Sequence, residues 1–97
     1  MAFMNRREFV DAVGARLGDE ELAGRAVAAF LDTITATVAT GERVELPGFG
    51  AFSRALRPAR DYRDPKTGVR GRVPATYVPK FKAGASFKSM AAGRRQA

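Results

Sequence analysis

No cysteine and no histidine occur among the 97 residues. Without cysteine there is no disulfide framework and no thiolate metal site, and without histidine the commonest general base and zinc ligand are also missing. Acidic clusters are few: Asp19 with Glu20 and Glu21, Glu42 with Glu45, and Asp61 with Asp64. Acid–base catalysis needs carboxylates held together in a dry pocket, whereas these groups open a helix, flank a turn and lie in an exposed segment. Neither an enzyme nor a bound cofactor is expected. Asp61 and Asp64 are poor magnesium ligands, because Arg57, Arg60, Arg63, Lys66, Arg70 and Arg72 surround them and repel a cation. They are expected to pair with neighbouring arginines instead. No apolar run approaches the ~18 residues of a membrane span, and Met1 to Arg7 lack the apolar region of a signal peptide. A cytoplasmic protein is the expectation.

What the chain does carry is charge, unevenly placed. The net charge is +7, yet residues 1–50 hold five Arg against eight acids, while residues 51–97 hold twelve Lys and Arg against Asp61 and Asp64. One half resembles an ordinary scaffold and the other an electrostatic footprint for a polyanion. A chain of 97 residues makes one domain, and so short a chain buries only about three-fifths of its unfolded surface. The stretch from Arg54 to Pro79 has too few large apolar residues to join that core. A partner subunit that supplies further apolar contact is therefore expected.

The helical grammar comes first. Asn5 and Glu8 have the spacing of a capping box, Phe9, Val10, Val13 and Leu17 follow at helical intervals, and Gly18 is a stop. Asp19 caps a second helix whose stripe runs Leu22, Ala26, Val27, Phe30, Leu31, Ile34 and Val38, with Gly41 ending it. Residues Thr33 to Thr40 alternate like a strand, and Gly24 weakens a helix, but the steps of four from Phe30 to Ile34 to Val38 favour helix throughout. Period two takes over after Gly41. Arg43 to Leu46 reads as a strand, Pro47 and Gly48 as a turn, and Phe49 to Leu56 as the start of a second strand, with Phe49 and Phe52 in the core. Asp64 to Gly68 forms a tip, and Val69 to Thr76 returns with Arg70 and Arg72 on one side and Val69, Gly71 and Val73 on the other. Tyr77 to Phe81 rejoins the body. A short third helix from Ala83 or Gly84 to Met90 turns Phe87 and Met90 inward, and Gly93 to Ala97 is a frayed basic tail. The fold class is α+β: an N-terminal helical hairpin, a three-stranded antiparallel sheet with an extended β-arm, and a short C-terminal helix.

A run of cations is usually no more than a solvated face. Here the three-residue spacing of Arg54, Arg57, Arg60 and Arg63, the hairpin tip between two basic strands and the scarcity of acids point instead to an arm that tracks phosphates.

The same residues carry a resemblance. Gly48, Phe49, Gly50 and Phe52, then Arg57, Arg60, Arg63, Pro65, Thr67 and Gly68, then Pro74, Ala75, Val78, Pro79, Phe81, Lys82 and Gly84 form a pattern that resembles the HU/IHF family of bacterial histone-like DNA-binding proteins. The likeness begins at Met4 and Asn5 and covers nearly the whole chain. It implies one domain with a helical dimerisation part at about residues 4–41 and the sheet, arm and last helix at about 42–93. It further implies an intertwined dimer whose two arms enter the minor groove of double-stranded DNA and bend it within the nucleoid. Minor-groove architectural proteins, IHF and HU among them, insert an apolar wedge into a base step; by motif position the wedge is Pro65. Arg54, Arg57, Arg60, Arg63, Lys66, Thr67, Arg70 and Arg72 are the implied arm contacts, and Lys80, Lys82 and Lys88 the implied saddle contacts.

Four positions depart from the family pattern. Tyr62 and Asp64 replace the usual Gly and Asn near the tip, which puts a negative charge beside the wedge. Ala85 stands where a Lys is common, and Gly71 in place of a β-branched residue is expected to loosen the return strand. Other readings are an IHF-like sequence-specific bender paired with a paralogue, and an RNA-binding basic protein that stacks bases on Tyr62. A membrane partner is set aside because the cations lie on a hairpin with no apolar face beside them.

Overall fold

A computed structural model of the chain describes residues 2–93, so the basic tail beyond Gly93 lies outside the described residues. Two compact units divide near residue 36, within the second helix.

In the first unit, helix α1 spans Arg6–Leu17. Asn5 caps it: its side chain accepts from the Glu8 N–H at 2.8 Å, while Glu8 accepts from the Asn5 N–H at 3.3 Å. Gly18 ends it at φ 73°, its N–H donating to the Gly14 carbonyl. Gly14 is buried where the chain doubles back, and a Cβ there would sit 3.2 Å from the Glu20 backbone. Helix α2 spans Glu20–Ala39, and Asp19 accepts from the Leu22 N–H at 2.9 Å to cap it. The segment that alternates like a strand is helical. Thr35 Oγ1 donates to the Leu31 carbonyl at 2.8 Å, the bond by which a β-branched threonine is accommodated in a helix. Helix α2 is long and apolar enough, by length and composition, to cross a membrane, although no single apolar run in it is long and Arg25 and Asp32 interrupt it.

Of the expected stripe on α2, Val27 and Val38 are buried, whereas Leu22, Phe30 and Leu31 stay 42–47% exposed. Along with them, only Ala23 and Gly14 are buried among the described residues.

The second unit begins with the end of α2, which Gly41 closes at φ 92°. Strands β1 (Val44–Leu46), β2 (Gly50–Arg57) and β5 (Thr76–Ala83) form an antiparallel sheet in the order β1-β2-β5. Pro47 and Gly48 make the β1–β2 turn, with Gly48 at φ 82° and the Phe49 N–H donating to the Leu46 carbonyl. That turn extends to Phe49, so β2 starts one residue later than its sequence pattern suggests. Strands β3 (Arg60–Arg63) and β4 (Arg70–Val73) form a separate two-stranded arm. The return segment is thus two strands and not one. Pro74 and Ala75 interrupt it opposite Pro58 and Ala59, and a proline on each side removes a ladder donor from each strand.

Helix α3 spans Ala85–Ala91, preceded by Gly84. Phe87 stacks on Phe49 at 5.1 Å between ring centroids, and Phe52 meets Phe81 at 4.7 Å, so Phe49 and Phe52 belong to an aromatic cluster that ties α3 to the sheet. Met90, expected inward, is 72% exposed. Phe87 takes the contact with the cluster, and the seven-residue helix places nothing over the residue one turn on.

Gly50 sits beneath this cluster, where an added Cβ would lie 2.6 Å from both the Lys82 carbonyl oxygen and the Phe81 ring. Gly50→Ala should therefore lower stability by roughly 1–3 kcal/mol, the usual range for overpacking, read as a lower urea midpoint with an unchanged slope.

Candidate nucleic-acid interface

Antiparallel pairing places directly opposite residues on one face and alternates faces along each strand. The register β2–β5 runs from Gly50↔Ala83 to Arg57↔Thr76 in eight pairs. One face of that sheet therefore holds Phe52, Arg54 and Leu56 with Tyr77, Pro79 and Phe81. The other holds Ala51, Ser53, Ala55 and Arg57 with Thr76, Val78, Lys80 and Lys82. Lys80 and Lys82 stand opposite Ser53 and Ala51, small neighbours that leave both ammonium groups exposed.

Arg54 falls on the apolar face, away from Arg57, Lys80 and Lys82. Its guanidinium lies 3.8 Å from the centre of the Tyr77 ring and donates to the Ala39 carbonyl at 3.3 Å. A cation here meets the carbonyl end of α2 and an aromatic face together. These two contacts seat Arg54 at the base of the sheet, on the face opposite Lys80 and Lys82. The three-residue spacing cannot keep every arginine on one strand face, because strand periodicity is two. Arg43, which the arm pattern passed over, shares the cationic face by alternation with Val44 and Leu46, but it is engaged with Glu45 at 3.0 Å.

Across the proline break each strand advances by three residues, from Arg57↔Thr76 to Arg60↔Val73, so neither strand gains or loses a residue. Within the arm, Asp61, Arg63, Arg70 and Arg72 share one face, and Arg60, Tyr62, Gly71 and Val73 the other. Asp61 pairs with Arg72 at 3.6 Å, both largely exposed, as the sequence suggested. Arg63 faces Arg70 with no acid between them. The second face bears Tyr62 and Val73 beside Arg60, so it is less charged than the first. A Cβ on Gly71 would overlap the Tyr62 ring, which explains the glycine: it makes room for the aromatic.

The tip is a closed turn. The Asp64 N–H donates to the Val69 carbonyl at 2.9 Å and the Gly68 N–H to the Asp64 carbonyl at 2.8 Å, with Gly68 at φ 71°. The Asp64 carboxylate accepts from the Lys66 N–H at 2.8 Å, and the Thr67 hydroxyl from the Val69 N–H at 3.2 Å. Asp64 thus holds the turn around Pro65, where it had been expected to pair with an arginine; an Asx-turn satisfies a backbone donor that no ladder reaches. Thr67 is a turn residue as well. Pro65 and Lys66 are exposed at the end of the arm. Lys88 stands on α3 and not on the sheet, one turn past the helix start, its N–H bonded to the Gly84 carbonyl.

Comparison with known proteins agrees with this geometry. The family profile described as bacterial DNA-binding protein matches residues 4–92. The chain is 43% identical over 93 residues to DNA-binding protein HU 2 of Streptomyces coelicolor, covering 96% of this chain but 43% of that longer relative. It is 41% identical over 90 residues to the DNA-binding protein HU of a Nostoc species, covering 92% of this chain and 96% of the relative. Among solved structures, an Anabaena HU–DNA cocrystal structure superposes with a TM-score of 0.83 at 41% identity, covering 92% of this chain and 98% of that one.

The turn geometry separates two substitutions at one position. Asp64→Asn keeps the acceptor and should leave the Lys66 amide protected, while Asp64→Ala should expose it at a local cost of about 1 kcal/mol, read by amide exchange at the tip.

Proposed function

Because the chain belongs to the bacterial DNA-binding protein family of HU and IHF, we propose that it is a non-enzymatic architectural protein that binds double-stranded DNA with little sequence preference and bends and compacts it. The observation that carries this reading is the register of the arm, which groups Arg63, Arg70 and Arg72 on one face and ends in a fixed turn presenting Pro65. Asp61 engages Arg72 on that face, while Arg63 and Arg70 face each other with no acid between them; such cations attract phosphate irrespective of sequence, and each phosphate they neutralise releases counterions. Arg57, Lys80 and Lys82 extend the same chemistry on the outer face of the sheet. Lys66, Arg60 and Lys88 are further phosphate contacts, Arg60 from the second face of the arm.

Pro65 is the wedge. Its ring is rigid and apolar and has no N–H to leave unpaired when it enters a base step. That minor-groove proteins such as HU and IHF bend DNA with apolar wedges is established for the class; the assignment to Pro65 in this chain is the proposal.

The functional unit is a homodimer, with pairing to a paralogue as the variant form, and the whole chain acts as one DNA-binding domain within it. Phe9, Leu22, Phe30 and Leu31 in the helical unit and Leu56 and Tyr77 in the sheet are each 42–57% exposed in one chain. So many large apolar groups left half-covered support a subunit interface. The place of action is the cytoplasmic nucleoid.

Binding to short duplexes across a salt series tests the electrostatics. A dimer that neutralises ~6–10 phosphates gives log K against log salt a slope of roughly −5 to −9, and a slope near −1 would sink the reading. Lys82→Ala should reduce that slope by about 2, one contact from each subunit of the dimer, whereas Arg54→Met should leave it unchanged. Pro65→Ala, followed by end-to-end fluorescence transfer, should reduce bending more than affinity.

A further inference from the structure

We propose that Tyr62 is a positioning residue for the tip, because its ring, seated on Gly71, orders the arm before DNA is met. The inference rests on the arm being the DNA-contacting element. Strands β3 and β4 make four pairs and no more, and a lone two-stranded ribbon is marginal in water. The pairs can be weighed one by one. Asp61 and Arg72 are 3.6 Å apart with side chains 79% and 71% exposed, so solvent screens most of their attraction. Arg63 opposite Arg70 sets like charges face to face, which opposes closure. Arg60 offers Val73 only the stem of its side chain.

Tyr62 opposite Gly71 differs in kind. A glycine weakens a strand because it has no side chain to cover the backbone. Here the Tyr62 ring occupies the space a Cβ on Gly71 would take, so the aromatic covers the partner strand at the bare position. The two residues fit each other: in this pose the ring takes the room the glycine leaves, and the glycine gains the ring for cover. The next pair along is Arg63↔Arg70, and beyond it lies the turn that holds Pro65. Order at Tyr62 is therefore order delivered to the tip, and an arm already ordered loses less conformational freedom on binding.

Amide exchange in the free full-length protein tests the lock without DNA. Tyr62→Ala should speed exchange of the ladder amides in β3 and β4 roughly two- to fivefold, the range a cross-strand aromatic pair sustains, and leave the β2–β5 ladder unchanged. Tyr62→Phe should behave as the unaltered protein, since the contact is the ring. Gly71→Val should speed arm exchange when Tyr62 is present, by displacing the ring, and slow it in the Tyr62→Ala background, where valine is an ordinary strand residue. Unchanged arm exchange in Tyr62→Ala, or one sign for Gly71→Val in both backgrounds, overturns the lock. On short duplexes Tyr62→Ala should weaken binding by a similar factor, with Phe restoring it, and equal affinity for the two variants overturns the positioning role. Exchange that responds as expected, in a protein that binds no duplex at all, would overturn the DNA reading instead.

Discussion

The unbroken register between β2 and β5 is the constraint on which the charged half of the molecule depends. Eight pairs are set in the sheet, and the arm resumes the same count after the two prolines have removed their donors. Strand alternation then sorts every side chain by parity. Lys80, Lys82 and Arg57 share one side of the sheet and Phe52, Leu56 and Phe81 the other. A slip of one residue would exchange the two sets, burying cations and exposing the aromatic cluster. The cluster of Phe49, Phe52, Phe81 and Phe87 resists that slip, since ring centroids 4.7–6.3 Å apart are available only in this register.

The uncovered apolar surface has the same origin as the arm. A short chain that commits the residues from Arg57 to Thr76 to a ribbon has little left to close a core. The buried set is small, and phenylalanine and leucine side chains on both units remain half-covered. Small residues mark the places where the chain closes on itself: Gly14 and Ala23 in the helical hairpin, Gly50 under the aromatic rings, and Gly71 under Tyr62. Glycines and alanines complete these close contacts, while large apolar residues stay half-covered.

Much of this was legible in the residue order. The capping box of Asn5 and Glu8, the Asp19 cap, the stops at Gly18 and Gly41, and the Pro47–Gly48 turn are local events, decided by side chains within three or four residues of one another. The arm was legible as well, since a charge excess and a turn signal need no tertiary contact. Three positions were not. Arg54 looked like the first of a series of contacts, but the three-residue spacing crosses a period of two, and only the pairing with Pro79 shows which face it takes. Asp64 looked like a counter-charge, and its carboxylate instead serves the nearest unpaired backbone donor. Met90 followed Phe87 by one helical step, yet Phe87 takes the contacts with Phe49 and Phe81 and Met90 stays exposed on so short a helix.

Gly71 shows the same division most plainly. By composition it is a weak point in a strand; across the ladder it is the seat of an aromatic ring. The sequence by itself determined the helices, the turns, the imbalance of charge and the presence of an arm, because each depends on neighbours along the chain. The tertiary structure alone decided which cations face together, which are anchors, and which glycine is a socket. Those outcomes depend on the register of β2 with β5 and of β3 with β4, whose partners lie from 7 (Arg63↔Arg70) to 33 (Gly50↔Ala83) residues apart in sequence, and the alternation along any one strand does not set that register.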